Sequence, residues 1–374
     1  MGALNGVRVL QLGGIGPVPF AAMMLADMGA EVVRVDAPGA PVTHALGANS
    51  RGAKSMVLDL KNPAARDVVL KLVESYDVLL EGNRPGVTER LGVGPEQCMA
   101  RNPRLIYGRM TTYGQTGPYS KRPAHDINAI AFSGVLQPLG PADQPPIPPQ
   151  ALIGDFGGGG MLLAVGVLGA LYETQKSGLG QVIDAAMTEG ASLLGTYMFE
   201  LQSRGQLGQR GMHMLDGAAP FYSTYETSDG KYVAVGSIEP QFYQDFMQAL
   251  GLDPKELPPQ RDATHWPATK AKVAAIFKTR TRDEWCALMG ARPNCFAPVL
   301  APGEAPSDPH NRARENYIER NGIVQPAPAP RLSRTPSHAG EVATQLGQHS
   351  DSVLASAGYS DADIAQLRQA GALG

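Results

Sequence analysis

The sequence lacks the short motifs that mark several large enzyme classes. It contains no HExxH motif, no GxSxG motif and no cluster of His and Cys, so it gives no support for a metal site or a serine hydrolase. Its three cysteines, Cys98, Cys286 and Cys295, are widely spaced and form no CxxC pair. We interpret them as reduced thiols and not as a disulfide framework or a zinc site.

Strong charge and a long uninterrupted apolar segment are also missing. A formal net charge of -3 gives no reason to expect nucleic acid or an anionic membrane as a partner. The chain begins with a strand-like segment and no basic leader, so we expect no signal peptide. The longest apolar run, 157–172, is short for a membrane span and contains six glycines, which predicts a buried helix. We therefore expect a cytoplasmic protein.

The first half of the chain alternates predicted strands and helices. Segment 7–12 is an apolar strand, a glycine turn and a helix beginning at Pro17 follow, and 31–36 is a second strand. A strand, helix and strand of this length predict a right-handed parallel crossover. Further strands are expected at 55–58, 77–81, 103–110 and 181–184, and long helices at 63–76, 154–177 and 185–203. The pattern predicts an α/β fold: a Rossmann-like large domain with a mostly parallel sheet.

The character of the sequence changes after about residue 216. Segments 221–226 and 232–236 flank a Ser-Asp-Gly turn and predict a β-hairpin. Amphipathic helices follow between 240 and 290, which indicates a smaller α+β domain. We predict a large domain over 1–200, a small domain over 217–318 and a return of 330–374 to the large domain, entered through the proline-rich stretch 325–330.

The glycine loop after the first strand invites a dinucleotide-binding interpretation. Gly14 and Gly16 match the first two glycines of GxGxxG, and Asp36 stands where a ribose ligand is expected. The third glycine is replaced by Pro19, however, and Pro17 removes an amide that would hold a pyrophosphate. We therefore favour a tight structural turn over a nicotinamide site.

Three titratable residues, His125, Asp155 and Glu239, stand in segments dominated by small and apolar residues. His125 lies at the expected start of a helix, where free amides can hold a developing enolate oxygen. Asp155 precedes four glycines that allow close approach of a ligand or backbone, although an N-cap role is the alternative. Glu239 precedes Pro240, so a role as a carboxylate at the start of a helix is an alternative to a catalytic role. An imidazole facing a carboxylate can remove a proton from one side of a carbon and return it from the other.

Arginines surround the Pro-Gly turn that follows the strand at 77–81. Arg84 and Arg90 flank this turn at the end of the sheet where open α/β folds bind ligands. Guanidinium groups bind phosphate oxygens in a planar, multidentate way. Arg34 and Lys54 stand near the ends of neighbouring strands. We predict a phosphate site here, with simple solvent exposure of each side chain as the alternative.

Several segments together resemble the class III CoA-transferase superfamily, and in particular its α-methylacyl-CoA racemase branch. The segments are 12–17 (LGGIGP), 26–36 (ADMGAEVVRVD), 83–87 (NRPGV), 109–118 (RMTTYGQTGP), 125–128 (HDIN) and 180–187 (GQVIDAAM). Each segment alone is a weak match, but together the segments occur in the family's order and span most of 1–245. The resemblance implies a CoA-binding α/β domain, a small domain and an interlocked homodimer with shared active sites.

The resemblance also implies which residues act. It assigns catalysis to His125, Asp155 and Glu239. The predicted substrate-binding set is Arg34, Lys54, Arg84, Arg90, Asp126 and Tyr222. Within it, the arginines resemble those that hold CoA phosphates in the family. No metal, flavin or nicotinamide cofactor is expected, because acyl-CoA itself is the substrate.

The expected reaction is racemisation at C2 of a 2-methylacyl-CoA thioester. His125, oriented by Glu239, serves one face of C2 and Asp155 serves the other, while backbone amides near His125 and Asp126 hold the enolate oxygen. Two alternatives stay open from the sequence. One is a CoA-transferase in which Asp155 is the acyl-accepting nucleophile, and the other is a CoA-binding protein without catalysis.

Overall fold

The computed structural model describes residues 1–320 and 322–374 and divides the chain into two compact units. The first unit comprises Met1–Gly134, Pro149–Gly195 and Glu315–Gly374, and the second comprises Val135–Pro148 and Thr196–Arg314. Most of the predicted small domain therefore lies in the second unit, and the predicted C-terminal return lies in the first.

Residues Val135–Pro148, which the sequence analysis assigned to the large domain, belong to the second unit. The contacts of one arginine explain this difference. The guanidinium of Arg210 donates three hydrogen bonds, of 3.0, 3.0 and 2.6 Å, to the carbonyls of Pro141, Gln137 and Gln144. Such a contact between distant parts of the chain leaves no trace in local composition.

A six-stranded sheet forms the centre of the first unit. Its strands are β1 (Arg8–Leu12), β2 (Glu31–Asp36), β3 (Ala53–Val57), β4 (Val78–Glu81), β5 (Ile106–Thr111) and β6 (Val182–Ala186). All neighbours pair in parallel, in the order β3-β2-β1-β4-β5-β6. The predicted α/β fold with a Rossmann-like parallel sheet is confirmed, and every predicted strand is present within a few residues of its expected bounds.

Helices cover both faces of this sheet. They are α1 (Pro17–Asp27), α2 (Val42–Ala45), α3 (Pro63–Leu72), α4 (Val87–Arg90), α5 (Pro95–Arg101), α6 (Asp126–Phe132), α7 (Leu162–Ser177), α8 (Met187–Leu194), α14 (Ser350–Ser356) and α15 (Asp361–Gln369). One core joins the sheet to α3, α5, α14 and α15, and the other joins it to α1, α6 and α7. Successive strand residues such as Val9 and Leu10 enter opposite cores, which explains why the strands are apolar throughout.

A π-helix, Leu152–Met161, runs directly into α7. The long helix predicted at 154–177 is therefore present, but its first part is a π-helix in which the glycines are tightly packed. A Cβ on Gly158 would lie 2.6 Å from the backbone N of Ala191, and one on Gly160 would lie 2.8 Å from the backbone O of Pro17. The glycine run therefore lets the backbones of α8 and α1 approach the π-helix closely.

The combined helix Leu152–Ser177 is long and apolar enough to cross a membrane by length and composition alone, and is the one such helix in the described ranges. One of its faces contributes Leu163, Ala164 and Val167 to a core against the sheet. The opposite face is not buried as expected, because Val165 and Tyr172 are 65% and 63% exposed. The helix thus presents an apolar surface outside the core of its own unit.

The predicted helix at 185–203 is two helices. α8 ends at Leu194 and α9 (Thr196–Ser203) begins after Gly195, where the first unit gives way to the second. Glycine weakens a helix by about 1 kcal/mol relative to alanine and favours such a break.

The second unit contains a three-stranded antiparallel sheet and several helices. Its strands are β7 (Tyr222–Glu226), β8 (Tyr232–Gly236) and β9 (Phe296–Val299), in that order, and the predicted β7-β8 hairpin is confirmed. Its helices are α9, α10 (Pro240–Ala249), α11 (Trp266–Phe277), α12 (Arg282–Met289) and α13 (Pro309–Ala313). An aromatic core around Phe246 and Phe277 joins the helices to the sheet. A ribbon of β10 (Tyr317–Arg320) and β11 (Ile323–Pro326) belongs to the first unit.

The tight packing of α8 against the π-helix predicts a large effect of Gly190→Ala. The added Cβ would lie 1.8 Å from the backbone O of Gly158, which cannot rotate away. We expect a loss of more than about 3 kcal/mol in the free energy of unfolding, measured by urea denaturation. Gly303→Ala is the control, since nothing lies within 4 Å of its Cβ, and it should change the free energy by less than about 0.5 kcal/mol. Equal effects of the two substitutions would contradict the packing described.

Candidate active site

The order of the parallel strands places a cleft at one edge of the sheet. The connections after β1 and β4 leave in opposite directions, and ligands bind at the carboxyl ends of strands at such a switch point. A cavity of about 280 Å³ lies there. Its lining residues are Ile15, Pro17, Val18, Gly82, Arg84, Pro85, Met110, Thr111, Thr112, Ser120, Arg122, Pro123, Ala124, His125, Asp155 and Met187. Four consecutive strands of the sheet, β1, β4, β5 and β6, are each followed by residues that line this cavity.

His125 occupies the N-cap position of α6 and lines this cavity. Its extended backbone conformation ends the preceding loop, and the side-chain oxygen of Asn128 accepts a 3.1 Å hydrogen bond from its backbone N–H. The predicted start of the helix is therefore confirmed. The imidazole is exposed to the cavity and next to the first turn of the helix.

Asp155 lies within the π-helix and lines the same cavity as His125. The alternative reading of Asp155 as an N-cap is wrong, because the helix begins at Leu152 and its N-cap residue is Ala151. π-Helical segments occur frequently at functional sites. Sequence alone placed these two groups in separate segments, and the fold brings them to one cavity.

Asp126 supports the backbone that carries Asp155. Its Oδ2 accepts hydrogen bonds from the backbone N–H of Gly154 at 2.6 Å and of Asp155 at 2.9 Å, and the residue is buried. The sequence analysis assigned Asp126 to substrate binding. The structure shows Oδ2 of its carboxylate bound to the π-helix, and its predicted contact with substrate stays a prediction.

Burial is the largest cause that raises the pKa of Asp155 to about 6, and the negative charge of Asp126 contributes to the same rise. The imidazole of His125 opposes this shift and lowers the pKa. A carboxyl group with this pKa exists in both protonation states near neutral pH. It is therefore suited to accept a proton in one step and to return it in another.

The glycine loop after β1 shapes the space around Asp155. Gly16 has φ of +65°, and a Cβ at this position would lie 2.6 Å from Oδ2 of Asp155. Ile15 and Pro17 from the same loop line the cavity. The tight turn expected from the sequence is present, but it also forms part of the site, which the sequence analysis did not predict.

Arg34 is part of a buried ion pair beneath this loop. Its Nε and Nη2 donate to the two carboxylate oxygens of Asp36 at 2.8 and 2.9 Å, and Nη2 also donates to the Gly14 carbonyl at 3.0 Å. Its side chain is 3% exposed. These contacts occupy the carboxylate of Asp36 and make Arg34 a support of the glycine loop; its contact with a CoA phosphate stays a prediction. The exposed Lys54 pairs with Glu31 at 2.7 Å, and its predicted role is likewise untested.

Arg84 and Arg90 differ from Arg34 in their surroundings. Both side chains are exposed, and neither makes a side-chain hydrogen bond or ion pair within the part of the chain that the structure describes. Arg84 lines the cavity that contains His125 and Asp155, and Arg90 ends α4. Their guanidinium groups are therefore available to an anionic ligand.

Two predicted residues lie in the second unit. Glu239 is the exposed N-cap residue of α10, but its side chain makes no capping hydrogen bond, so the carboxylate is not used by the helix. Tyr222 begins β7 and lines a cavity of about 700 Å³ together with Lys270 and Cys295. The functional roles of Glu239 and Tyr222 stay predictions.

Other residues at the site were not identified from the sequence. Met110, Thr111 and Met187 line the cavity at the ends of β5 and β6. Their position at the carboxyl ends of predicted strands was the only available signal. Within residues 1–320 and 322–374, no group of three or more His, Cys, Asp or Glu side chains is arranged to hold a metal ion.

Comparisons with known proteins identify the family and the fold. Residues 4–350 match the sequence profile of the family described as CoA-transferase family III. The chain is 44% identical over 367 residues to the "Alpha-methylacyl-CoA racemase" of Mus musculus, covering 97% of this chain and 96% of that protein. It is 43% identical over 368 residues to the Homo sapiens protein of the same name, with 98% and 96% covered. A crystal structure of a CAIB/BAIF family protein from Brucella suis has a TM-score of 0.84 at 24% identity, covering 95% of this chain and 99% of that one, and shows the shared fold.

The charge of Asp126 predicts a measurable change in the titration of Asp155. In Asp126→Asn the amide oxygen can still accept the two backbone hydrogen bonds, but the repulsion is removed. The pKa of Asp155 should fall from about 6 yet stay above 3.8, because burial remains. The measurement is a ¹³C NMR titration of protein labelled at the aspartate carboxyl carbons, with Asp155→Asn identifying the signal.

Asp184→Asn is the control for this titration. The carboxylate of Asp184 accepts a hydrogen bond from the backbone N–H of Gln115 and is not among the groups that shift the pKa of Asp155. This substitution should leave the pKa of Asp155 unchanged. A pKa that is unaffected by Asp126→Asn would show that the two carboxyl groups do not interact.

Proposed function

Because the chain belongs to CoA-transferase family III, we propose that it is an α-methylacyl-CoA racemase that interconverts (2R)- and (2S)-2-methylacyl-CoA thioesters. One observation supports this most directly: His125 and Asp155 line a single cavity at the carboxyl edge of the sheet. The identity of 43–44% to mouse and human proteins with this name agrees with the proposal.

The two groups match the chemistry of the reaction. A thioester acidifies its α-proton because the resulting carbanion delocalises into the carbonyl as an enolate. Asp155 in its ionised form removes the proton from one face of C2, and protonated His125 delivers a proton to the other face; for the opposite epimer the two roles are reversed. No electrons are transferred to another molecule, so the step requires no redox cofactor. Backbone amides near His125 and Asp126 hold the enolate oxygen.

Glu239 completes the proposed catalytic set. This assignment comes from the family resemblance. It is supported by the free carboxylate of Glu239, which is exposed and makes no capping hydrogen bond at the start of α10. Tyr222 is assigned to substrate binding on the same grounds.

Arg84 and Arg90 are the proposed clamp for the CoA phosphates. Both are exposed, and Arg84 lines the cavity that contains the catalytic pair. Guanidinium groups without an internal carboxylate partner can donate to phosphate oxygens without first breaking an ion pair. Binding of the nucleotide end then fixes C2 between the two proton-transfer groups.

A CoA-transferase that uses Asp155 as its nucleophile is the alternative within the family. A transferase forms an acyl anhydride on this carboxylate and passes the CoA to an acceptor acid. Such a mechanism gives no task to an imidazole in the same cavity, whereas two-sided proton transfer uses both groups. The placement of His125 therefore favours racemisation.

Hydrogen exchange in D₂O tests the proposed reaction. We expect the protein to convert one epimer of a 2-methylacyl-CoA into a mixture and to introduce one deuterium at C2 without an acceptor acid, as followed by mass spectrometry and chiral chromatography. His125→Ala and Asp155→Ala should each reduce racemisation by at least about 10²-fold, because each removes one positioned acid–base group.

The same experiment separates the alternatives. A transferase would leave C2 unlabelled, would require an acceptor acid and would lose activity in Asp155→Ala but retain it in His125→Ala. A CoA-binding protein without catalysis would bind CoA and turn over no thioester in any variant.

We also propose that the protein is a cytoplasmic homodimer. The three cysteines are free, which suits a reducing compartment. An apolar surface on the first unit is called the α7 face. It consists of Met161 at the end of the π-helix and Val165 and Tyr172 of α7, which are 48%, 65% and 63% exposed and recur on one side of the combined helix. Monomeric proteins rarely leave such a surface in water. A second copy of the chain is the proposed occupant, as the family resemblance implies.

Charge on the α7 face should weaken the proposed dimer. Val165→Glu places a carboxylate in the apolar contact and should shift the mass measured by light scattering from twice 39.5 kDa toward one chain. Val42→Glu changes a valine of similar exposure in α2 and should leave the mass unchanged. A single-chain mass for the unmodified protein would refute the dimer without affecting the proton-transfer assignment.

A further inference from the structure

A buried arginine lies beneath the loop that carries the proposed phosphate clamp. Arg109 belongs to β5, and its Cα is opposite that of Glu81, the last residue of the neighbouring strand β4. Its side chain is 8% exposed. Arg109 is not in the lining of the catalytic cavity and does not belong to the catalytic set proposed above.

The guanidinium of Arg109 joins two carboxylates from the two ends of one loop. Nε donates to Oε1 of Glu81 at 2.9 Å, and Nη1 donates to Oε1 of Glu89 at 2.8 Å. Glu81 stands immediately before the loop and is completely buried, whereas Glu89 lies in α4 at its far end and is 41% exposed. The segment between these two anchors, Gly82–Thr88, is called the clamp loop here.

Glu81 also fixes the first turn of the clamp loop. Its second oxygen, Oε2, accepts a 2.6 Å hydrogen bond from the backbone N–H of Asn83. A buried carboxylate that is left without a cation becomes protonated or pulls its surroundings out of place. Burial raises the pKa of Glu81, and the charge of Arg109 opposes this rise and so favours the ionised carboxylate that accepts this bond.

The clamp loop places Arg84 at the cavity and leads directly to Arg90. Arg84 is one residue after Asn83, and Arg90 is one residue after Glu89. Each proposed phosphate-binding side chain is thus adjacent to a residue that the Arg109 network holds. Nη2 of Arg109 is buried and has no hydrogen-bond partner within the described ranges. The guanidinium therefore bonds to the two carboxylates while its Nη2 group stays unsatisfied. This indicates that the two carboxylates determine the position of the Arg109 side chain.

We propose that Arg109 is a positioning residue for the recognition of the CoA nucleotide: it holds both ends of the clamp loop so that Arg84 and Arg90 meet the phosphates together. This inference rests on the proposed acyl-CoA substrate. It assigns Arg109 no contact with substrate and no part in proton transfer. Lysine cannot replace it, because a single ammonium on a flexible chain does not present two separate donors at fixed geometry to two carboxylates.

The test compares substrates with and without the nucleotide. In Arg109→Met the KM for a 2-methylacyl-CoA should rise about tenfold or more, equivalent to about 1.4 kcal/mol of binding, while kcat stays within about threefold. The corresponding pantetheine thioester lacks the nucleotide phosphates, so its kcat/KM should be the same in the variant and the unmodified protein. Calorimetric titration with CoA alone should show a similar loss of affinity, and Arg109→Lys should not restore it.

Arg282→Met is the matched control. Arg282 has the same side-chain exposure, 8%, and a comparable pair with Glu304 at 2.8 Å, but it lies in the second unit. It should lower thermal stability without changing CoA affinity. If Arg109→Met does not fold, Arg109→Met combined with Glu81→Gln removes the uncompensated buried charge, and the double variant should fold and still bind CoA weakly.

The outcomes distinguish this inference from the proposed function. Unchanged CoA affinity in a folded Arg109 variant would overturn the positioning role, and so would equal losses with the CoA and pantetheine thioesters. Selective loss for the CoA thioester would support it. If the unmodified protein binds CoA but does not racemise it, the proposed reaction fails while the calorimetric comparison still decides the role of Arg109.

Discussion

The carboxylate of Asp126 accepts two hydrogen bonds from the backbone that carries Asp155, and much of the site depends on them. They fix the first part of the π-helix at Gly154 and Asp155. The same carboxylate is a negative charge close to Asp155 and contributes to its raised pKa. The carboxylate of Asp126 therefore fixes the position of the proposed base and adds to the rise in its pKa that burial mainly causes. The adjacent Gly16 leaves room for that base, because a Cβ there would lie 2.6 Å from its oxygen.

The parallel sheet explains why residues so distant in the chain meet. Loops after β1 and β4 leave the sheet in opposite directions, and the cavity lies where they separate. The π-helix that carries Asp155 reaches this edge because its glycines allow it to pack directly on the backbones of α1 and α8. A regular helix with side chains at these positions would stand farther from both neighbours. Close packing of the backbone is thus a condition for the catalytic geometry.

Local patterns predicted the elements well, and long-range contacts account for what they missed. The strand Glu31–Asp36, the β7-β8 hairpin and the helix that begins after His125 all follow from apolar periodicity and turn residues. The helix at 154–177 was also predicted, but the π-helical form of its first part was not, since a run of glycines carries no period that indicates it. The pairing of Arg34 with Asp36 was equally hidden, because residues two apart on one strand gave no sign in the sequence that they form a buried ion pair. The role of Asp126 required the three-dimensional position of Gly154.

The arginines of the first unit near the cavity fall into two groups, one buried in ion pairs and one exposed. Arg34 and Arg109 point into the protein, and each is neutralised by buried carboxylates, so neither adds much positive potential at the surface. Arg84 and Arg90 have no such partners in the described part of the chain and are exposed. The positive charge available to an anion therefore comes from the outer pair, while Arg34 and Arg109 bind groups of the adjacent loops. In the sequence these four arginines carry the same charge and cannot be told apart. The structure distinguishes them, because only Arg34 and Arg109 are paired with buried carboxylates.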